Sequence, residues 1–244
     1  TVAQWEPLIE PKTFGIRPLV VGTLMVAFGA IFIALPFGLF SAFYLSEFAV
    51  KKWRGILKPA LEILAGIPTV VYGYFGITFI TPLLKNFFPD IQVFNALSAA
   101  IVVAIMIMPM IASLCDDAFS ALPNSLREGA YALGAKPNEV IWDVLLPAAS
   151  GRVVAAIMLA LSRAAGETMA VTLAAGSTPN GSVNFLESIQ TMTAFIVEVS
   201  LGDVASGSIE YLSSFAVGGL LFVLTMFLNG VGTYLIFKAT RGVS

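Results

Sequence analysis

The stretch "ALPNSLREGAYALGAKPNEVIWDVLLP" (Ala121–Pro147) is too polar to lie in lipid and too patterned to be a loose connection. Ser125 followed by Glu128 has the spacing of a capping box, in which a side chain at each position covers a free main-chain N–H of the other. A helix is therefore expected to start there. Gly134 can adopt the left-handed conformation that ends such a helix. Pro137 and Asn138 restart a second short helix, and Pro147 separates it from the apolar run that follows. The expectation is a helix–turn–helix knob presenting Ala130, Tyr131 and Leu133. Its apolar face needs a cover, either the chain's own helix ends or a groove in a soluble partner. Glu128 is accordingly either a cap alone or a contact to that partner.

On both sides of this insert the chain is greasy. Of 244 residues, 58% are hydrophobic and 11% charged, whereas a soluble domain carries roughly a quarter charged residues. Five stretches are apolar over the length needed to cross the hydrocarbon layer: 18–45, 60–84, 93–114, 147–175 and 211–237. Each is expected to be helical, because lipid offers main-chain donors and acceptors no other partner. The expected fold is an all-α integral membrane protein, with one membrane domain over 16–244 that contains the cytoplasmic insert 121–147. A polar, proline-broken segment, 1–15, precedes it, with Trp5 suited to an interfacial position.

The loops alternate in charge. Segment 46–59 carries Lys51, Lys52, Arg54 and Lys58, and the C-terminus carries Lys238 and Arg241. Segment 176–210 has no lysine or arginine, only Glu187, Glu198, Asp203 and Glu210. The positive-inside rule places 46–59, 115–146 and the C-terminus in the cytoplasm. The N-terminus, 81–92 and 176–210 then face outward, in agreement with five crossings.

Composition also excludes function classes. There is no histidine and a single cysteine, Cys115, which removes histidine-based metal sites, Ser-His-Asp triads and Cys-His pairs. Cys115 reads as a small apolar residue. A net charge of −2 without a basic tract argues against nucleic acid as a partner. No G-x-x-x-x-G-K-[ST] loop is present to hold a nucleotide.

Two spans carry features that plain membrane anchors do not need. "LAGIPTVVYGYFG" (64–76) holds Pro68, Gly66, Gly73 and Gly76; it is either a kink with close helix packing or a broken helix lining a pathway. "LSRAAGETMAV" (161–171) puts Arg163 and Glu167 deep in the fourth span. A central charge costs about 2.5–3.5 kcal/mol on insertion scales, so such residues should face the bundle interior or a wet cavity. They are either an i, i+4 ion pair or a transport site. Arginine's planar fork fits the oxygens of a tetrahedral anion. A carboxylate beside it repels a fully deprotonated anion such as sulfate, yet accepts a hydrogen bond from phosphate, which keeps a proton near neutral pH. Thr168 and Thr172 offer hydroxyls there, or simply bond main-chain carbonyls.

Several of these residues carry a family resemblance. "REGAYALGAKPNEVIWDVLLP" (127–147) resembles the cytoplasmic signature of ABC-importer permeases, with Glu128-Gly129-Ala130, then Gly134, then Val144-x-Leu146-Pro147. Gly129 and Val144 depart mildly from the usual alanine and isoleucine. "LSRAAGETMAV", "LAGIPTVVYG" (64–73) and "IMPMIASLCDDAFSALPNSLREGAYALGA" (107–135) are similar to phosphate-importer permeases of the PstC type. Sulfate and molybdate permeases share a related Arg-x-x-x-Glu element but continue differently after the glutamate.

The resemblance implies a type I ABC-importer bundle, with five membrane helices in this chain and a sixth, N-terminal one missing. It implies a bacterial inner-membrane subunit that is not itself an enzyme and has no cofactor of its own, ATP and Mg being held by the partner ATPases. The implied partners are a PstA-type permease, two PstB-type ATPases and an external PstS-type phosphate-binding protein. Arg163, Glu167 and Thr168 then line the substrate pathway. Glu128, Gly129, Ala130, Tyr131, Leu133 and Gly134 dock the ATPase.

Overall fold

The computed structural model describes residues 5–7, 13–202 and 204–241. Among them the chain is helical apart from connections and one small hairpin, in which β1 (Trp5–Glu6) pairs antiparallel with β2 (Thr13–Phe14). The helices are α1 (Arg17–Phe43), α2 (Lys51–Ala65), α3 (Thr69–Phe75), α4 (Thr81–Lys85), α5 (Ala96–Ser120), α6 (Asn124–Ala132), α7 (Pro137–Glu139), α8 (Leu146–Ala165), α9 (Met169–Ala175), α10 (Met192–Leu201) and α11 (Ile209–Arg241). Wider π-helical turns at Tyr44–Phe48, Gly76–Ile80 and Val140–Leu145 extend α1, join α3 to α4 and join α7 to α8.

Four continuous helices are long and apolar enough to cross a membrane: Arg17–Phe48, Ala96–Ser120, Pro137–Ala165 and Ile209–Lys238. The second expected span, 60–84, is interrupted. Lys52–Ala65 and Thr69–Lys85 pass the same test only as a pair. Pro68 takes an extended ψ of 132° and precedes α3, so the two halves are not one rod. The first half is not the loop expected at 46–59. "KKWRGILKPALEILA" is an amphipathic helix, with the side chains of Arg54 and Lys58 turned to Asp116 and Asp117.

The chain divides into two compact units: residues 1–33, 67–106 and 161–227 in the first, and 34–66, 107–160 and 228–244 in the second. The first unit has a core of Trp5, Leu19, Met192, Phe195, Val199 and Val217. Trp5 is 4% exposed and meets Phe195 edge-on, so it is a core residue of this unit rather than the interfacial anchor expected. The rest of that N-terminal segment, 1–4 and 8–12, lies outside the described residues, as does Asp203. In the same unit a Cβ on Gly73 would stand 3.0 Å from the Cα of Ala170, and one on Gly76 3.2 Å from the Cβ of Ala174. The missing side chains let α3 pack directly on α9, as small residues do between membrane helices.

The second unit stacks Phe43 on Phe119 and sets Trp142 against Phe43. Asp116, fully buried, accepts two hydrogen bonds from Arg54 and one from Lys58, and Lys58 also bonds Asp117. These two carboxylates, whose purpose the sequence leaves open, fasten α2 to α5.

Candidate functional site

The fourth expected span, 147–175, is not one helix. It stops at Ala165, and α9 begins only at Met169. Gly166 N donates to Ser162 O, four residues back as in a regular helix, and Glu167 N donates to Ala164 O, only three residues back, which tightens the last turn before the chain leaves helical geometry. Arg163 therefore lies in the last turn of α8, where the helix dipole favours a cation. Glu167 lies in the break, where its Oε1 accepts the main-chain N–H of Ala170 at 3.3 Å and so covers a free donor of α9.

The pair is consequently not the i, i+4 staple of a regular helix. Among the described residues no ion pair joins Arg163 to Glu167. Arg163 is exposed, and Glu167 and Thr168 are half-buried. Thr168 donates its hydroxyl to the Gly166 carbonyl at 3.2 Å and Thr172 to the Thr168 carbonyl at 2.8 Å, so both hydroxyl protons hold the main chain.

The segment expected as an outer loop, 176–210, supplies a further support that the sequence reading missed. Within it α10 is largely buried, and Thr191 caps it by accepting from Ala194 N. Thr193 Oγ1 donates to the Glu167 carbonyl at 2.8 Å, and Thr23 Oγ1 accepts from Met192 N. The signal was present as threonine followed by the apolar run "MTAFIVEVSL". Ahead of α10, the Glu187 carboxylate gathers Asn180, Ser182 and Asn184, which hold it below the usual carboxylate range. Burial pushes the Glu198 carboxyl up, against the opposing hydrogen bond from Gln190.

The knob forms with two corrections. Helix α6 starts at Asn124 behind Pro123, and Ser125 makes no capping hydrogen bond, so the Ser125–Glu128 box does not exist. Proline at the cap fixes φ and sets the start one residue earlier. The glutamate that does cap is Glu139, whose Oε2 accepts from Lys136 N at 2.7 Å at the head of α7. Pro147 does not separate the knob from the span either. The widened turn Val140–Leu145 runs straight into α8 and accommodates the proline, which has no N–H to place in the ladder.

Gly134 ends α6 as expected, at φ +85°. Gly134 N donates to Tyr131 O and Ala135 N to Ala130 O, the paired bonds of a Schellman motif. Glu128, Gly129, Tyr131 and Leu133 are all exposed and Ala130 is half-buried, and Leu133 is 91% exposed. What secures this bare helix is Arg127, which forks onto both Glu47 oxygens and donates to the carbonyls of Phe119 and Leu122.

A family model described as "Binding-protein-dependent transport system inner membrane component" matches residues 34–241. The chain belongs to that family. This permease is a multi-pass inner-membrane subunit of an ABC importer, and not an enzyme: it works with ATPase subunits, which carry the nucleotide-binding motifs, and with a substrate-binding protein. It is 34% identical over 225 residues to the probable ABC transporter permease protein YqgH of Bacillus subtilis, covering 92% of this chain and 72% of that one. It is 32% identical over 260 residues to the phosphate transport system permease protein PstC of Mesorhizobium japonicum, covering 98% and 77%. A chain of the inward-facing MetNI methionine ABC transporter superposes with a TM-score of 0.67 at 18% identity, over 92% of this permease and 94% of that chain. That likeness establishes the type I ABC-importer permease fold.

Proposed function

We propose that this permease forms half of the translocation pathway for inorganic phosphate, paired with a PstA-type permease, powered by two PstB-type ATPases and fed by a PstS-type binding protein. The observation that carries the reading is the break at Gly166–Thr168, which leaves the Arg163 guanidinium exposed and without an ion pair to Glu167. An unpaired guanidinium in a membrane helix is costly unless water or an anion reaches it. Its fork suits phosphate oxygens. Glu167, half-buried four residues further on, accepts a hydrogen bond from the proton that phosphate retains and sulfate lacks. The similarity to PstC proteins points to the same substrate.

In this reading the N-terminus and segment 176–210 face outward, and the binding protein delivers phosphate there. The knob and the C-terminus face the cytoplasm. Tyr131 and Leu133 enter a groove on an ATPase subunit, Gly134 sets the turn, and Glu128, Gly129 and Ala130 line the contact. Closure of the ATPases then moves α6, and through Arg127 the helix ends it grips, so that access to Arg163 and Glu167 alternates.

The test is ATP-dependent uptake of phosphate against sulfate by the reconstituted complex with its binding protein. Uptake of phosphate in preference to sulfate is expected. Preferential sulfate or molybdate uptake would assign the chain to the related oxyanion permeases instead.

A further inference from the structure

Arg152 and Arg163 are eleven residues apart in α8. In an α-helix that separation is about three turns, about 16 Å along the axis and about 20° around it. The two arginines therefore share one stripe of the helix.

Arg152 also lines an open crevice of about 330 Å3, with Leu114, Asp117 and Ala118 from α5 and Ala155 and Leu159 from α8. The side chain is exposed and, among the described residues, makes no ion pair or hydrogen bond. The acidic residue in the crevice does not neutralise it. Asp117 is bonded to Lys58, and Asp116 behind it to Arg54 and Lys58, so two cations already balance two carboxylates. Arg152 remains as the surplus positive charge. Arginine cannot shed that charge by deprotonating, and within a membrane helix it persists where water or an anion reaches it.

We propose that Arg152 is a second oxyanion-binding station, which takes up the anion after Arg163 releases it. The proposal rests on the phosphate reading of this chain for its substrate. Alanine at 155 and 156 leaves the crevice roomy, and the salt-bridged wall of α2 and α5 keeps Asp117 from repelling the anion. A single strong site would hold its ligand; a second cation on the same stripe offers the departing anion a charge-assisted contact. That contact lowers the barrier to release.

The experiment uses the whole complex with its binding protein in liposomes, in a Cys115→Ala background. Cys115 is buried and is the one native thiol to remove. Ala155→Cys places a thiol in the crevice, and its rate of modification by the anionic reagent sulfonatoethyl methanethiosulfonate is measured with and without phosphate or sulfate. Modification should proceed and phosphate should slow it. Adding Arg152→Gln, or Arg152→Met as a second uncharged variant, should abolish that protection, whereas Arg152→Lys should retain part of it. Phosphate uptake should fall in the uncharged variants while ATPase activity stimulated by the loaded binding protein persists. A thiol that no anion protects, or one the reagent never reaches, would overturn the proposal. Protection by sulfate but not phosphate, lost with Arg152, would keep the station and overturn the phosphate reading.

Discussion

Thr193 donates its hydroxyl to the main-chain carbonyl of Glu167 at 2.8 Å. Since a hydroxyl has one proton, the 3.0 Å contact between Thr191 and Thr193 has Thr191 as donor, and Thr191 in turn accepts from Ala194 N. A short relay thus runs from the first turn of α10 to the break that separates Arg163 from α9. Thr193→Val removes the last link and should cost about 1 kcal/mol of stability. Phosphate uptake should drop several-fold while the ATPases still co-purify; Thr193→Ser should restore it. Unchanged uptake in the valine variant would show that α10 does not hold the break in place.

The turn after α6 makes a sharper demand. At φ +85°, Gly134 occupies a conformation that costs an L-residue roughly 1 kcal/mol or more. The space around it is open, so the penalty is conformational and not steric. Gly134→Ala should weaken retention of the ATPase subunits on an affinity column and uncouple hydrolysis from uptake. Gly134→Asn, which tolerates this region better, should recover most of both. Equal behaviour of the two variants would remove the turn from the coupling mechanism.

Arg127 and Glu47 form a pair with side chains only 16% and 10% exposed. Removing one member of a pair this shielded leaves the other unmatched, at about 3 kcal/mol. Arg127→Ala should be the more severe change, because the carbonyls of Phe119 and Leu122 lose their donor as well. A double-mutant cycle on thermal unfolding of the complex measures the coupling. Additive effects would mean the ion pair contributes nothing beyond its separate parts.

Glu187 offers a pH test. Hydrogen bonds from Ser182, Asn184 and Asn180 hold its folded pKa below the ordinary 4.5. A depressed folded pKa means that its contribution is complete above the unfolded value and is lost as pH falls through the folded one. Protection of amides 180–188 from hydrogen exchange should therefore hold at pH 6 and decay only below about pH 4.5. Glu187→Gln should remove the dependence. Because Glu187 O also accepts from Ala96 N, the first turn of α5 should loosen in step.

Much of this architecture was legible in the sequence, since hydrophobic length is a strong signal and Gly134 has few alternative uses. The spans expected at 18–45, 93–114 and 211–237 and the end of α6 follow from those two facts. The breaks were harder. "RAAGET" holds a single glycine among Arg, Ala and Glu, which suit a helix, and only the geometry shows that the bond from Glu167 N to Ala164 O tightens the turn and ends it. Similarly, the charges of "KKWRGILKP" (51–59) pointed to a loop, and the helix was expected only from residue 60. Two of those charges, Arg54 and Lys58, prove to meet Asp116 and Asp117, residues about sixty positions away that local pattern cannot anticipate. Ser125 failed as a cap for the opposite reason: Pro123, two residues upstream, already fixed where α6 begins. Gly129 was singled out on resemblance alone, whereas Leu133 came from the helix pattern and Glu128 from its spacing to Ser125, and all three are exposed.

The most direct measurement is ATP-driven phosphate uptake by the reconstituted complex carrying Arg163→Gln. Gln keeps a polar, planar end on a shorter side chain without the charge, and Arg163 is exposed, so assembly and ATPase docking should survive. Uptake should be abolished. Uptake at the unaltered rate from a fully assembled complex would contradict the assignment of Arg163 to the anion's path.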